Sequence, residues 1–184
     1  CVTRRQRQMC IRDRNELTLD VVAQLKKVFG VEVKDLISNV DNSQIYLNDE
    51  GISDLGLEKN KVINEIIKIL KSFDFISNAY SSDYIMNAKA LDGYEKLIQN
   101  GFHEKRSGDI ALILEPNVIF YDGKGTTHGS GYNYDTHVPL IFFGSGVKNG
   151  ETERITEIPD IAPTISKMLG QKMKNSTGES LDFI

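Results

Sequence analysis

Apolar residues recur at helical spacing in some stretches of this chain and bunch into short continuous runs in others. Residues 19–29 carry the helical spacing, with Thr18 placed to cap the start and Gly30 to stop it. Residues 58–73 give the clearest helix: Val62, Ile63, Ile66, Ile67, Leu70 and Phe73 fall on one stripe, with lysines and glutamates around it. Residues 88–99 repeat that pattern as a second amphipathic helix. A last helix opens at Asp160-Ile161-Ala162-Pro163-Thr164, where Asp160 is the expected cap, Pro163 is tolerated in the first turn and Gly170 is the stop. Between these lie strand-like runs at 31–33, 44–47, 75–80, 109–114, 118–121 and 138–143. The last three are almost continuously apolar, the pattern of strands covered on both faces. Helices interleaved with such strands predict a layered α/β domain.

At 184 residues the chain is long enough for one respectable core, and a single domain is expected. A net charge of −4 gives no reason to expect a nucleic-acid duplex as partner. The apolar runs fall far short of the roughly 20 residues a membrane-spanning helix needs, so no membrane span is predicted. The charge average hides a break. Arg4, Arg5, Arg7, Arg12 and Arg14 and both cysteines, Cys1 and Cys10, lie within residues 1–14, and the remainder holds 17 basic against 25 acidic residues. A basic binding arm is one reading of this head. A targeting segment is excluded, because no apolar stretch follows the arginines. The string Arg5-Gln6-Arg7-Gln8-Met9-Cys10-Ile11-Arg12-Asp13-Arg14 resembles translated sequencing-adapter sequence, and on that reading residues 1–14 are non-native and 15–184 are the protein proper. With the head set aside no cysteine remains, which removes disulfides and thiolate metal sites.

Chemistry concentrates in one place. His128 sits among glycines in a polar loop that runs into the apolar segment 138–143, and His137 lies at that segment's mouth. Flanking glycines let an imidazole approach a metal or phosphate. A catalytic zinc needs at least three protein ligands, and no local His-x-x-x-His or His-Glu-x-x-His spacing supplies them. His128 is therefore read as part of a metal site, against the plainer reading of a loop histidine hydrogen-bonded to backbone. His103, in a polar turn, reads as solvated surface. Ser107-Gly108 after Lys105-Arg106 has the look of an anion-binding turn, though paired cations are more often a solvated edge. Gly123-Lys124-Gly125-Thr126-Thr127 is not a phosphate loop, because Val118 occupies the place of its first glycine.

Taken together, Lys105-Arg106-Ser107-Gly108-Asp109-Ile110, Gly125-Thr126-Thr127-His128-Gly129-Ser130-Gly131-Tyr132, Tyr134-Asp135-Thr136-His137-Val138-Pro139-Leu140-Ile141-Phe142 and Asp160-Ile161-Ala162-Pro163-Thr164 resemble the C-terminal part of the alkaline phosphatase superfamily. Within it the resemblance is to bacterial alkaline phosphatases of the type I phosphodiesterase/nucleotide pyrophosphatase branch. It implies an α/β/α sandwich truncated at its N-terminal side, two Zn2+ ions per active site, and a phosphorylated Thr or Ser nucleophile. It places His128 at the family's last zinc-ligating histidine, with His137 ordering the loop from behind or serving as a fallback ligand. The family's nucleophile loop and its Asp-His-Gly element have no counterpart in this sequence. No catalytic residue is assigned within the chain, and residues 1–184 alone are expected to be inactive.

The resemblance further implies a small phosphate-ester substrate and a periplasmic or secreted location. Two alternatives stay open: a phosphodiesterase or nucleotide pyrophosphatase of the same superfamily, and a non-catalytic α/β interaction module using residues 15–57 as its surface. Truncation also predicts that the Val62, Ile66, Ile67 and Leu70 stripe is partly uncovered for want of sheet neighbours.

Overall fold

The computed structural model describes residues 10–33, 35–121 and 127–182. The chain divides into two compact units, one ending at Thr136 and the other beginning at His137. In the first, β1 (Cys10–Arg12) leads to α1 (Arg14–Phe29), β2 (Ile37–Asp41), β3 (Gln44–Leu47), α2 (Asp49–Asp54) and α3 (Lys59–Leu70). Then come β4 (Ile76–Ser81), α4 (Ser82–Asn87), α5 (Gly93–Gly101), β5 (Ile110–Leu114), β6 (Val118–Phe120) and the single turn α6 (Asn133–Thr136). The second unit holds a 3-10 turn at Ile158–Asp160 and helix α7 (Ile161–Met168). The α/β class is as predicted. Its larger sheet is antiparallel, in the order β2-β3-β5-β4, and a separate parallel pair joins β1 to β6.

Helix α1 starts earlier than the apolar spacing suggested. Asp13 caps it by accepting a hydrogen bond from the Asn15 amide at 2.7 Å, and Thr18, the expected cap, sits inside it and donates to the Arg14 carbonyl. Gly30 ends the helix in the left-handed region (φ 69°), donating to the Lys26 carbonyl. Cys10–Arg12 pair as β1 and Asp13 caps α1; residues 1–9 lie outside the described residues.

The run at 31–33 is not a strand. Val33 and Leu36 are buried in the core, and β2 begins only at Ile37. The β2–β3 hairpin turns through Asn42 and Ser43, both at positive φ (46° and 57°), with Asp41 paired to Gln44. The helix expected over 88–99 begins later, as α5 at Gly93, because Ala90 takes a positive φ (60°); residues 82–87 form the separate α4.

The α3 stripe is covered, contrary to the expectation from truncation. Val62, Ile66 and Leu70 are each 0% exposed, and Ile67 is half-buried against the same cluster. Leu17, Val21 and Leu25 of α1 and Ile45, Leu47, Ile76, Ala79, Ile110 and Leu112 of the antiparallel sheet complete that core. Helices α1 and α3 and the sheet therefore pack as two layers around one core. Close packing sets Gly108 beside β3: a Cβ there would lie 2.7 Å from the Ile45 carbonyl oxygen and 3.0 Å from the Gln44 Cβ. Gly108→Ala is expected to destabilise the first unit by about 1–3 kcal/mol, read as a lowered urea midpoint; an unchanged midpoint would mean that β3 and the 108 turn do not meet.

Apolar surface is left open elsewhere. The 138–143 run, predicted as a buried strand, forms no ladder, and Ile141 and Phe143 are 80% and 100% exposed. A strand is stabilised by its pairing partners, and this run has none among the described residues. Asp160 is not the side-chain cap predicted for α7. Its carboxylate accepts instead from the amides of Glu157 and Glu179, at 3.0 and 2.9 Å. Those bonds hold it below the usual carboxylate range. The buried Thr164 hydroxyl donates to the Asp160 carbonyl and accepts from the Leu181 amide. The second unit is thus stitched through polar bonds and one small apolar anchor, Leu181.

Candidate functional site

The loop carrying His128 is built outward from the sheet. Tyr132 and Tyr134 pin its far end: the Tyr132 hydroxyl donates to the Leu114 carbonyl at 2.8 Å, and the Asn117 amide donates to the Tyr134 hydroxyl at 3.0 Å. The rings of Tyr132 and Tyr134 stack, and Tyr94 of α5 meets Tyr132 edge-on at 5.2 Å. Burial pushes the pKa of Tyr94 and Tyr132 above the ordinary phenol value, so both stay neutral hydrogen-bonding groups at physiological pH. Gly131 packs against the Tyr94 ring, where a Cβ would come within 2.9 Å.

From this base α6 presents Asp135, whose Oδ2 accepts from both the amide (2.8 Å) and the hydroxyl (2.5 Å) of Ser130. The Ser130 hydroxyl, the amides of Ser130 and Gly129 and the neighbouring His128 hold the Asp135 carboxyl below its usual range, outweighing its slight desolvation. Gly129 takes φ 122°, a conformation L side chains rarely adopt. His128 itself is exposed, on the rim of a cleft of about 210 Å³ lined also by Thr127, Ser130, Tyr132, Asp135 and Tyr94.

The other predicted positions divide sharply. His137 is the exposed first residue of the second unit. His103 is exposed, as its polar turn suggested; its carbonyl accepts from the Arg106 and Ser107 amides, its Nδ1 from the Lys105 amide, and its own amide donates to the Ser107 hydroxyl. With the Gly108 amide also donating to Gln44, the amides of the 105–108 turn are spent within the protein, and the turn does not present them to an anion. Gly125 and Thr126 of the His128 motif, and with them residues 123–126 of the rejected 123–127 phosphate loop, lie outside the described residues. Sequence reasoning passed over Ser130 and Asp135, whose signal is a serine and a carboxylate flanking the glycine-rich loop.

Among the described residues no three His, Cys, Asp or Glu side chains come together as a metal site. His128 offers one imidazole of the right chemistry, but this donor set does not amount to a zinc site on its own. No helix among the described residues is long and apolar enough to cross a membrane.

A mixed α/β fold carrying a glycine-framed histidine loop does not by itself define a function; comparison with known proteins places the chain in a family. The chain is 33% identical over 155 residues to alkaline phosphatase PafA of Elizabethkingia meningoseptica, covering 84% of the chain and 28% of that protein. It is 39% identical over 165 residues to a Myroides odoratus protein named a calcium-transporting ATPase, covering 89% of the chain and 30% of the relative. The crystal structure of wild-type PafA superposes with a TM-score of 0.81 at 31% identity, over 92% of this chain and 32% of that one. No family model matches the chain. The chain belongs to the alkaline phosphatase superfamily. It spans about 30% of the length of the relatives it matches.

Proposed function

We propose that this chain is part of a zinc-dependent phosphatase that hydrolyses phosphate monoesters through a covalent phospho-Thr or phospho-Ser intermediate, in the periplasm or outside the cell. The observation that supports it is the exposed imidazole of His128, raised on a braced glycine loop in a chain similar to PafA over most of its length. In this reading His128 is one ligand of a two-zinc centre whose other ligands and nucleophile come from sequence not contained in these 184 residues. Bound zinc would supply charge stabilisation to the transferring phosphoryl group. What this chain contributes is a fixed imidazole and the tyrosine-lined wall beside it. His137 is the fallback ligand.

The test compares the full-length protein encoded at the native locus with the 184-residue chain, using p-nitrophenyl phosphate, bis-p-nitrophenyl phosphate and ATP as substrates. Monoester turnover by the full-length protein, lost on chelation and restored by Zn2+, is expected, with no turnover by the chain alone. In the full-length protein His128→Ala is expected to lower kcat/KM at least about 100-fold and to reduce bound zinc measured by elemental analysis. A diester preference would move the assignment to the phosphodiesterase alternative. Hydrolysis confined to ATP would favour the activity named for the Myroides relative. Turnover by the chain alone would overturn the incomplete site, and an unchanged His128→Ala enzyme would overturn the ligand.

A further inference from the structure

We propose that Asp135 is a positioning residue whose carboxylate closes the loop carrying His128 and fixes where that imidazole stands. Two glycines, Gly129 and Gly131, flank Ser130 and give this part of the loop more backbone freedom than any other pair of residues would. A histidine next to such a segment reaches a defined place only if something holds the segment. The described structure bridges it at Asp135: both donors of Ser130 converge on a single carboxylate oxygen, while Gly131 at the far end rests against Tyr94. Charge-assisted bonds of this kind are about twice as strong as neutral ones.

The anchor itself is fixed. The amides of Asp135 and Thr136 both donate to the Tyr132 carbonyl, at 2.8 and 3.0 Å, and the Tyr132 and Tyr134 hydroxyls tie that turn to Leu114 and Asn117. An unbroken path of hydrogen bonds therefore runs from the β5–β6 turn through α6 and Asp135 to Ser130, two residues from His128. A ligand histidine held this way arrives pre-oriented, as sites built on braced elements require. The functional meaning of the bridge rests on His128 being a ligand; the bridge does not.

The experiment is nuclear magnetic resonance on the isotope-labelled 184-residue chain without metal, comparing wild type with Asp135→Ala, Asp135→Asn and Ser130→Ala. Asp135→Ala is expected to speed amide exchange at Ser130 about tenfold or more and to replace a single His128 ring environment by broadened or multiple signals. Asp135→Asn, which keeps an acceptor oxygen, is expected to restore most of both. The Leu112 amide, bonded to Ser43 within the sheet, reports whether the first unit stays folded. Should Asp135→Ala unfold it, Ser130→Ala decides, with a partial loss of His128 order expected. Unchanged Ser130 exchange and an unchanged His128 ring in the folded variants would overturn the proposal. These readouts need neither zinc nor turnover, so failure of the phosphatase reading would leave them standing, and their failure would leave that reading intact.

Discussion

Ile66→Ala is expected to cost the first unit about 2–5 kcal/mol and to lower its thermal midpoint by about 10 °C or more. Ile66 is 0% exposed, at the middle of the α3 stripe, between the buried Val62 and Leu70. Truncation to alanine removes its apolar contacts and leaves a cavity that a helix held on both sides by α1 and the sheet cannot collapse to fill. The comparison that gives the number meaning is Phe143→Ser. Phe143 is fully exposed, so its removal is expected to change stability by less than about 0.5 kcal/mol. Urea denaturation followed by circular dichroism measures both. If Ile66→Ala unfolded within experimental error of wild type, α3 would not be packed as described, and the apolar stripe would be the open surface expected of a truncated sheet.

That contrast shows which parts of the fold could be read from sequence. The α3 stripe was legible because a 3.6-residue period is a local property, and the helix forms wherever one apolar face finds cover. What the period did not contain was the identity of that cover. Strand β2, Ile-Ser-Asn-Val-Asp, carries no usable alternation and was missed; it exists because Asn42 and Ser43 turn the chain back so that its backbone pairs with β3. The reverse error occurred at 138–143. A continuous apolar run satisfies the composition of a buried strand, but a strand is made by its neighbours, and no described residue pairs with this one. The extent of α5 was misjudged for a third reason, since the positive φ of Ala90 is not written in an alanine.

The site divides in the same way. His128 stood out because glycines frame it. Asp135 did not, because an aspartate seven residues on acquires its role only when α6 folds it back over the loop. The Arg106-Ser107-Gly108-Asp109 motif was visible, but its work is architectural: Gly108 lets β3 approach, and Asp109 joins three elements.

Asp109→Ala is expected to destabilise the first unit by about 2–3 kcal/mol, and Asp49→Ala by less than about 1 kcal/mol, although both carboxylates touch the same lysine. Asp109 Oδ2 accepts from the Leu47 amide at 2.7 Å, its Oδ1 meets Lys59 Nζ at 2.7 Å, and its carbonyl accepts from Ser82. Its side chain is 21% exposed against 73% for Asp49, whose single ion pair with Lys59 is in reach of water. Alanine at 109 would strand the amide of the buried Leu47 and remove the better-shielded partner of Lys59. Asp109→Asn keeps an acceptor for Leu47 and is expected to fall between the two. Burial alone would lower the Lys59 pKa, but its bonds to Asp109 and Asp49 outweigh that and raise it above 10.5. A raised folded-state value means that the stabilisation is complete below the unfolded-state value and is lost as pH climbs through the folded one. The gap in melting temperature between wild type and Lys59→Met should therefore be flat from about pH 6 to about pH 9 and should shrink above about pH 10.5. A gap that closed on the acid side of neutrality, or an Asp49→Ala loss equal to that of Asp109→Ala, would show that the Leu47 amide and the shielded Lys59 pair do not carry the effect.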